Sequence, residues 1–333
     1  MNFKWFIGID VSKSTLDCCV MFQEQKLFHK QIANTPKSIK EYLKFLKKEL
    51  PNFLIQDALF CMEHTGIYNI HLLEILDNVK ASVWLESAIH IIKSMGVQRG
   101  KSDVVDAHRI AKFAYKNRDE VKLWTPKREV ITELKSLTTL RSRLLNCKKQ
   151  LNSVFKNENH ISKEEFKLIK QNCFKSLKAI ENDIVKVELK IQEIIKSDKR
   201  LNELFNIITS VDGVGKITAT QILITTNEFK SINAAKKFAC YAGIAPFEYS
   251  SGSSVRGRTR VSKMANKQMK QLLHMAALSS ISMKGELKQY YDRKVEDGKN
   301  KMSVLNAIRN KIILRIFACV NNNKMYEKNY EYC

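Results

Sequence analysis

The chain has 333 residues, enough for two or three domains with real cores, and 57 Lys and Arg against 34 Asp and Glu give a formal charge of +23. So large a surplus attracts polyanions, nucleic acid first and an anionic membrane surface second. No run reaches the roughly 18 apolar residues of a spanning helix, the apolar start runs into Asp10 and Lys13 as a strand rather than a signal peptide, and four prolines and eleven glycines leave no low-complexity linker.

In chain order, 6–11 and 16–22 predict two strands joined by a turn at Lys13-Ser14, and 26–33 predicts a third, giving a meander. Residues 38–50 carry Ile39, Tyr42, Leu43, Phe45 and Leu46 at helical spacing and stop at Pro51. The short apolar run 58–62, ending at Glu63, predicts a strand buried on both faces. A helix at 69–76, a strand at 81–85 and a helix at 87–95 follow. That order is the layout of an RNase H-like α/β domain with a mixed sheet, expected over 1–125.

The stretch Gly100-Lys101-Ser102-Asp103-Val104-Val105-Asp106-Ala107-His108-Arg109 predicts a helix running to about Asn117 with Ser102 as its N-cap. Asp103 and Asp106, three apart, share a face. Asp10 sits on the first strand and Glu63 ends the next central one, where open α/β sheets place their chemistry. Singly, each acid reads as an ordinary first-turn, Asx-turn or surface residue. Jointly they predict four converging carboxylates, whose repulsion a hard cation such as Mg²⁺ or Mn²⁺ would relieve. Paired divalent ions stabilise both oxygens of a phosphodiester displacement.

Leu137, Leu140, Leu144, Cys147, Leu151 and Val154, then Leu177, Ile180, Ile184, Val187, Ile191 and Ile194, recur in steps of three and four. Ser162-Lys163-Glu164-Glu165 forms a capping box. Residues 126–200 thus predict an antiparallel coiled-coil arm, a spacer or dimerisation element. Its outward Lys and Arg form a solvated face. Eight cysteines without a Cys-x-x-Cys pair predict reduced, mostly buried thiols of a cytosolic protein and argue against a zinc site.

A mainly helical domain is expected over 201–325, with a polar tail at 326–333. Residues 207–219 resemble a helix–hairpin–helix, in which Gly213, Gly215 and Lys216 could hold a phosphate at a helix start; a plain helix pair is the alternative. A helix at 231–239 leads into 241–260, the most loop-like part of the chain. It offers Ser250 and Ser251 beside Arg256, Arg258, Arg260 and then Lys263. A serine attacking phosphorus needs such neighbouring cations. A basic DNA-contact loop has the same composition. Helices at 263–283 and 301–320 close the chain, with Met269, Leu272, Leu273, Met275, Ala276 and Leu278 as core, and Lys267, Lys270 and Arg309 on a solvated or phosphate-facing side.

Gly8-Ile9-Asp10-Val11-Ser12-Lys13, Glu63-His64-Thr65-Gly66 and Lys101-Ser102-Asp103-Val104-Val105-Asp106-Ala107 resemble the acidic motifs of the DEDD transposases of bacterial insertion sequences. Gly243-Ile244-Ala245-Pro246, Ser251-Gly252 and Ser262-Lys263 resemble that family's C-terminal signature, with Ala265 where the family commonly has glycine. The resemblance implies a RuvC-like domain with Asp10, Glu63, Asp103 and Asp106 as metal ligands, and a transposase domain with Ser251 as nucleophile and Ser250 as the near alternative. It further implies a serine-type recombinase guided by a bridge RNA, working on donor and target double-stranded DNA as a dimer or tetramer in the bacterial cytoplasm at the nucleoid. A metal-dependent junction resolvase without a covalent intermediate, and a non-catalytic nucleic-acid-binding protein, are the competing expectations.

Overall fold

The computed structural model describes residues 3–94, 96, 102–153, 155, 162–251, 255–262 and 264–327. The chain divides into two compact units, Met1–Pro126 and Lys127–Cys333.

The first unit is built on five strands: β1 (Trp5–Val11), β2 (Thr15–Phe22), β3 (Gln25–Ala33), β4 (Ala58–Glu63) and β5 (Ser82–Glu86). They lie in the order β3-β2-β1-β4-β5. The two hairpins are antiparallel, and β1–β4 and β4–β5 are parallel. The sheet is therefore mixed, as the pattern predicts. Helices α1 (Pro36–Glu49) and α2 (Ile70–Asn78) cover one face, where Ile7, Ile9, Leu16 and Phe60 meet Ile39, Leu46 and Leu76. Pro36 stands in the first turn of α1 and Thr35 caps it by accepting from the Ser38 N–H, so the helix starts two residues earlier than predicted. Helices α3 (Ala88–Ser94) and α4 (Asp103–Lys116) cover the other face, where Phe6, Cys19, Leu59, Cys61 and Trp84 meet Ala107, Ile110, Ala111 and Phe113. Both faces are apolar because both are covered.

The sheet's two edges are treated differently. Along β5 the Trp124 N–H donates to the Val83 carbonyl at 2.7 Å, so the segment after α4 lies against that edge. The β3 edge carries Lys26 and Lys30, the latter 3.4 Å above the Phe45 ring.

The second unit begins with two long helices, α5 (Glu129–Ser153) and α6 (Lys163–Ser197). They run antiparallel: Arg141 pairs with Glu188 at 2.7 Å, and seven residues further along α5, Lys148 pairs with Glu181 at 2.8 Å, seven residues earlier on α6. Ser162 caps α6 by accepting from the Glu165 N–H at 3.2 Å. Ile131 and Leu134 of α5 and Ile184, Val187, Ile191, Ile194 and Ile195 of α6 are buried, whereas Leu140 and Cys147 are exposed. Val154 lies outside the described residues.

Helices α7 (Lys199–Ser210), α8 (Lys216–Thr226), α9 (Ala235–Tyr241), α10 (Lys267–Ser282), α11 (Glu286–Glu296) and α12 (Lys301–Asn321) complete the core. Helix α9 begins four residues after the predicted start, because Asn227, Glu228 and Phe229 take left-handed backbone and the chain turns back, with Ser231 N–H bonded to the Thr226 carbonyl at 3.0 Å. The stretch read as a loop contains a β-hairpin, β6 (Pro246–Ser251) and β7 (Val255–Val261). Helix α11 has no counterpart in the sequence reading. Met275 and Leu278, expected in the core, are exposed. Met275 lines a cleft of about 710 Å³ bounded by α5, α6, α8 and α10. Arg309 is likewise not on a solvated side: it is 5% exposed. Of the described cysteines Cys18, Cys19 and Cys61 are buried, Cys147 is exposed, and Cys173, Cys240 and Cys319 are half-buried, so burial of most thiols does not hold. No helix of the described residues is long and apolar enough to cross a membrane.

Candidate active site

The site in the first unit starts from Gly8. A Cβ built there would lie 2.2 Å from the Ala111 nitrogen and 2.3 Å from the Ala107 carbonyl oxygen. Glycine thus lets the backbone of α4 rest directly on β1. Side chains alternate along a strand, so Asp10 shares that face with Phe6 and Gly8. The helix that touches Gly8 carries Asp103 and Asp106 in its first turn. Burial, then the charges of Asp103 and Asp106, then that of Asp17 raise the Asp10 carboxyl above its usual range, against a backbone hydrogen bond from Val11. Three acids far apart in sequence therefore share one electrostatic environment.

Glu63 enters by register. Ile9 lies beside Met62 in the parallel β1–β4 pair, so Asp10 and Glu63 end neighbouring strands one step later. On the far side Glu63 pairs in register with Glu86 of β5. Buried Cys61, two residues before Glu63, has its thiol pushed up first by burial and then by the Glu86 and Glu63 charges. The strand end is fixed by Asn69, which is 1% exposed. Its amide donates to the Glu63 carbonyl at 3.0 Å and accepts from the Thr65 N–H and hydroxyl at 2.7 and 2.8 Å. Gly66 follows with a φ of +76°, a backbone that glycine adopts without strain. That is the physical content of Glu63-His64-Thr65-Gly66: the threonine and the turn hold the end of β4.

Asp106 is ion-paired with Arg109 at 2.8 Å. Ser102 caps α4, accepting from the Val105 N–H at 3.4 Å. Lys101 lies outside the described residues. Among the described residues no three His, Cys, Asp or Glu side chains stand close enough together to grip an ion. The donor chemistry nevertheless fits a hard divalent cation: all the groups are carboxylates, and burial together with the charges of Asp103 and Asp106 raises Asp10.

Three neighbours of this site were not singled out in the sequence. Asp17 lies opposite Asp10 on β2, 3% exposed, held by His29 at 2.9 Å and by the Gln31 amide at 3.1 and 3.3 Å. Glu86 is opposed by burial, but hydrogen bonds from the Ser87 N–H at 2.7 Å and from His90 at 3.1 Å hold its carboxyl below the usual range. Asn69 is the third. An acid one residue beyond a predicted strand end was the available signal for Glu86; Asp17 and Asn69 need the strand register and the turn.

The remaining candidates belong to the second unit. Ser251 ends β6 opposite Val255, and Ser250, opposite Arg256, is exposed. Arg256 and Arg260 on β7 are exposed as well; the Arg258 backbone lies in β7, and Lys263 lies outside the described residues. In the α7–α8 turn Gly213 has a φ of +84°, and a Cβ there would meet the Ala276 carbonyl oxygen of α10 at 2.3 Å. Its freedom thus serves helix packing. Gly215 has open space around it and is the N-cap of α8, with no side-chain cap bond, and Lys216 follows. The root of the hairpin instead meets the start of α10, where Asn266 donates to the Tyr241 carbonyl at 2.8 Å. Gly213 and that root stand about ten residues, roughly 15 Å, apart along α10. They are separate features.

Two family models match the chain, the first running past the end of the first unit and through α5. Residues 7–157 match the family model of the DEDD, IS110-type transposase, and residues 205–292 match the transposase IS116/IS110/IS902 family. The pilin gene-inverting protein of Moraxella bovis is 25% identical over 329 residues, 98% of each chain. An insertion element IS110 protein of Streptomyces coelicolor is 29% identical over 152 residues, 46% of this chain and 36% of that one. Among solved structures, T. thermophilus RuvC in complex with a Holliday junction substrate aligns over 36% of this chain and 99% of that chain, with 12% identity and a TM-score of 0.28. With two matches to this family that together span most of the chain and a relative similar from end to end, the chain belongs to the IS116/IS110/IS902 family of DEDD transposases, enzymes that recombine DNA.

Proposed function

We propose that this transposase cuts and rejoins DNA through a covalent bond between Ser251 and the DNA, with Asp10, Glu63, Asp103 and Asp106 as the ligands of a divalent cation, Mg²⁺ or Mn²⁺. The observation that carries the acidic half is the crossing of α4 over Gly8, which puts the charges of Asp103 and Asp106 onto Asp10. When bound, the cation supplies Lewis-acid polarisation of a phosphodiester oxygen. Arg109, now paired with Asp106, would have to release it for that carboxylate to become a ligand.

In the second unit the serine oxygen forms a bond to phosphorus and the bond from phosphorus to the leaving sugar oxygen breaks. The serine proton passes to a base or water, and the sugar oxygen gains one. The phosphoester is conserved, so a sugar hydroxyl from another strand can reverse the step and rejoin DNA without outside energy. The full-length relative is named for inverting a gene, and inversion requires rejoining as well as cutting. Exposed Arg256 and Arg260 beside the serine strand supply positive charge for the phosphoryl oxygens. Gly215 and Lys216 at the start of α8 offer N–H groups to a backbone phosphate. Site choice is assigned to a guide noncoding RNA, with the chain acting as a homo-oligomer that holds backbones rather than reading bases.

The test compares Ser251→Ala with Asp10→Asn on DNA carrying the element's ends, together with RNA copurified from the native host. In the parent, a protein–DNA adduct survives denaturing electrophoresis; both variants lose it. A Ser251→Ala variant that still cuts, from a parent that forms no adduct, would make the acids the whole catalyst and favour a resolvase-like nuclease. Copurified RNA consisting only of random fragments would remove the guide.

A further inference from the structure

Arg309 is a buried guanidinium with no acid beside it among the described residues. It lies on α12, 5% exposed, and none of the ion pairs among the described residues includes it. Its Nη2 donates to His274 Nδ1 of α10 at 2.9 Å, its Nη1 reaches Asn306 Oδ1 at 3.4 Å, and its Nε is buried with no hydrogen-bond partner. Burial alone lowers its pKa, and His274 is lowered by burial and then by the neighbouring Arg309 charge, consistent with a neutral imidazole accepting from the guanidinium. Leaving a cation buried and uncompensated costs several kcal/mol, so a fold without use for the charge would do better with an apolar residue.

The surroundings say what would compensate it. Lys270, one helical turn before His274, lies on the same face of α10 and also lacks a carboxylate partner among the described residues. The Lys270 side chain passes 3.8 Å from where a Cβ on Gly243 would be. The Asn306 amide, shared with Arg309, donates to the Ile244 carbonyl at 2.9 Å. Lys270, His274 and Arg309 thus gather beneath the Gly243-Ile244 segment that opens β6. With Ser251 seven residues beyond Ile244, up to about 23 Å along the extended chain, the phosphate to be cut is not the one this cluster would meet.

We propose that Lys270 and Arg309, with His274 and Asn306 orienting the guanidinium, form a seat for a backbone phosphate of bound DNA flanking the cut position. The anion completes an ion pair that the described residues leave open. The inference rests on the chain being a DNA-recombining enzyme, not on the choice of Ser251.

The test measures binding of the full-length protein to a fluorescein-labelled DNA duplex across a salt series, beside thermal denaturation without DNA. Each phosphate contact contributes about 0.9 to the slope of log K against log salt. Lys270→Gln and Arg309→Met, which share that one phosphate, are each expected to lower the slope measurably and the double variant to lower it by about 0.9 in all, with Arg309→Met melting at or above the parent temperature. Ser251→Ala keeps the parent slope even where cutting is lost, which separates this site from the nucleophile. An unchanged slope in Lys270→Gln overturns the proposal. So does an Arg309→Met that fails to fold, melts lower or keeps the parent slope, because Arg309 is then only a brace for Ile244.

Discussion

Around Asp10 almost every neighbour is fixed by backbone: β2 and β4 flank its strand, α4 rests on Gly8, and Asn69 ties off β4 next door. Around Ser250 and Ser251 two strands pair only with each other, Ser250 and both flanking arginines Arg256 and Arg260 are exposed, and the ladder is irregular between Phe247 and Tyr249. The contrast suits the two tasks proposed for them. Ions demand ligands held to fractions of an ångström, whereas a nucleophile that must meet a large, mobile polymer can wait on a two-stranded projection and be ordered by what it binds.

That contrast can be broken first at Gly8. Gly8→Val drives side-chain atoms into the backbone of α4, so we expect a loss of about 3 kcal/mol or more in urea unfolding of the first unit; a variant that kept its midpoint would show that α4 does not rest there. Next is Asp10→Asn. Cutting should fall at least about a hundredfold, while the metal-free protein becomes more stable at neutral pH. Burial and the neighbouring acids raise the Asp10 pKa, so its contribution to stability is full below the unfolded pKa and is lost as pH rises through the folded one. The gain in Tm over the parent should therefore vanish in acid. Asn69→Ala removes three hydrogen bonds to half-buried groups of Glu63 and Thr65, an expected cost of about 1–3 kcal/mol, with the metal requirement for cutting moved to higher concentration. The smallest effect belongs to the hairpin: Ser250→Ala should stay within about 0.5 kcal/mol of the parent and retain the DNA adduct. Loss of the adduct there would transfer the nucleophile to Ser250.

The sheet of the first unit was readable because its strands alternate or run apolar and its helices announce their caps, Thr35 and Ser102 among them. The acids were readable because each stands at a strand end or in a first helical turn. What could not be read depends on register and three-dimensional pairing. Asp17 becomes a neighbour of Asp10 only once β1 and β2 are aligned, and Asn69 reaches back six residues across a turn. The β6–β7 hairpin reads as a loop in the sequence because serines, glycines and arginines outweigh Phe247, Tyr249, Val255 and Val261 in its composition. Helix α11 escaped because Leu287 is its one fully buried side chain among charged and tyrosyl neighbours. Arg309 looked solvated because nothing local in α12 reveals that His274 and Asn306 close around it.

The edges of the five-stranded sheet carry a last consequence. One border is lined by the segment through Trp124, and the other presents Lys26 and Lys30 along β3. Lysines on an open border discourage a second copy from adding its own strands there. Association that extended this sheet from one protomer into the next across that border is thereby disfavoured.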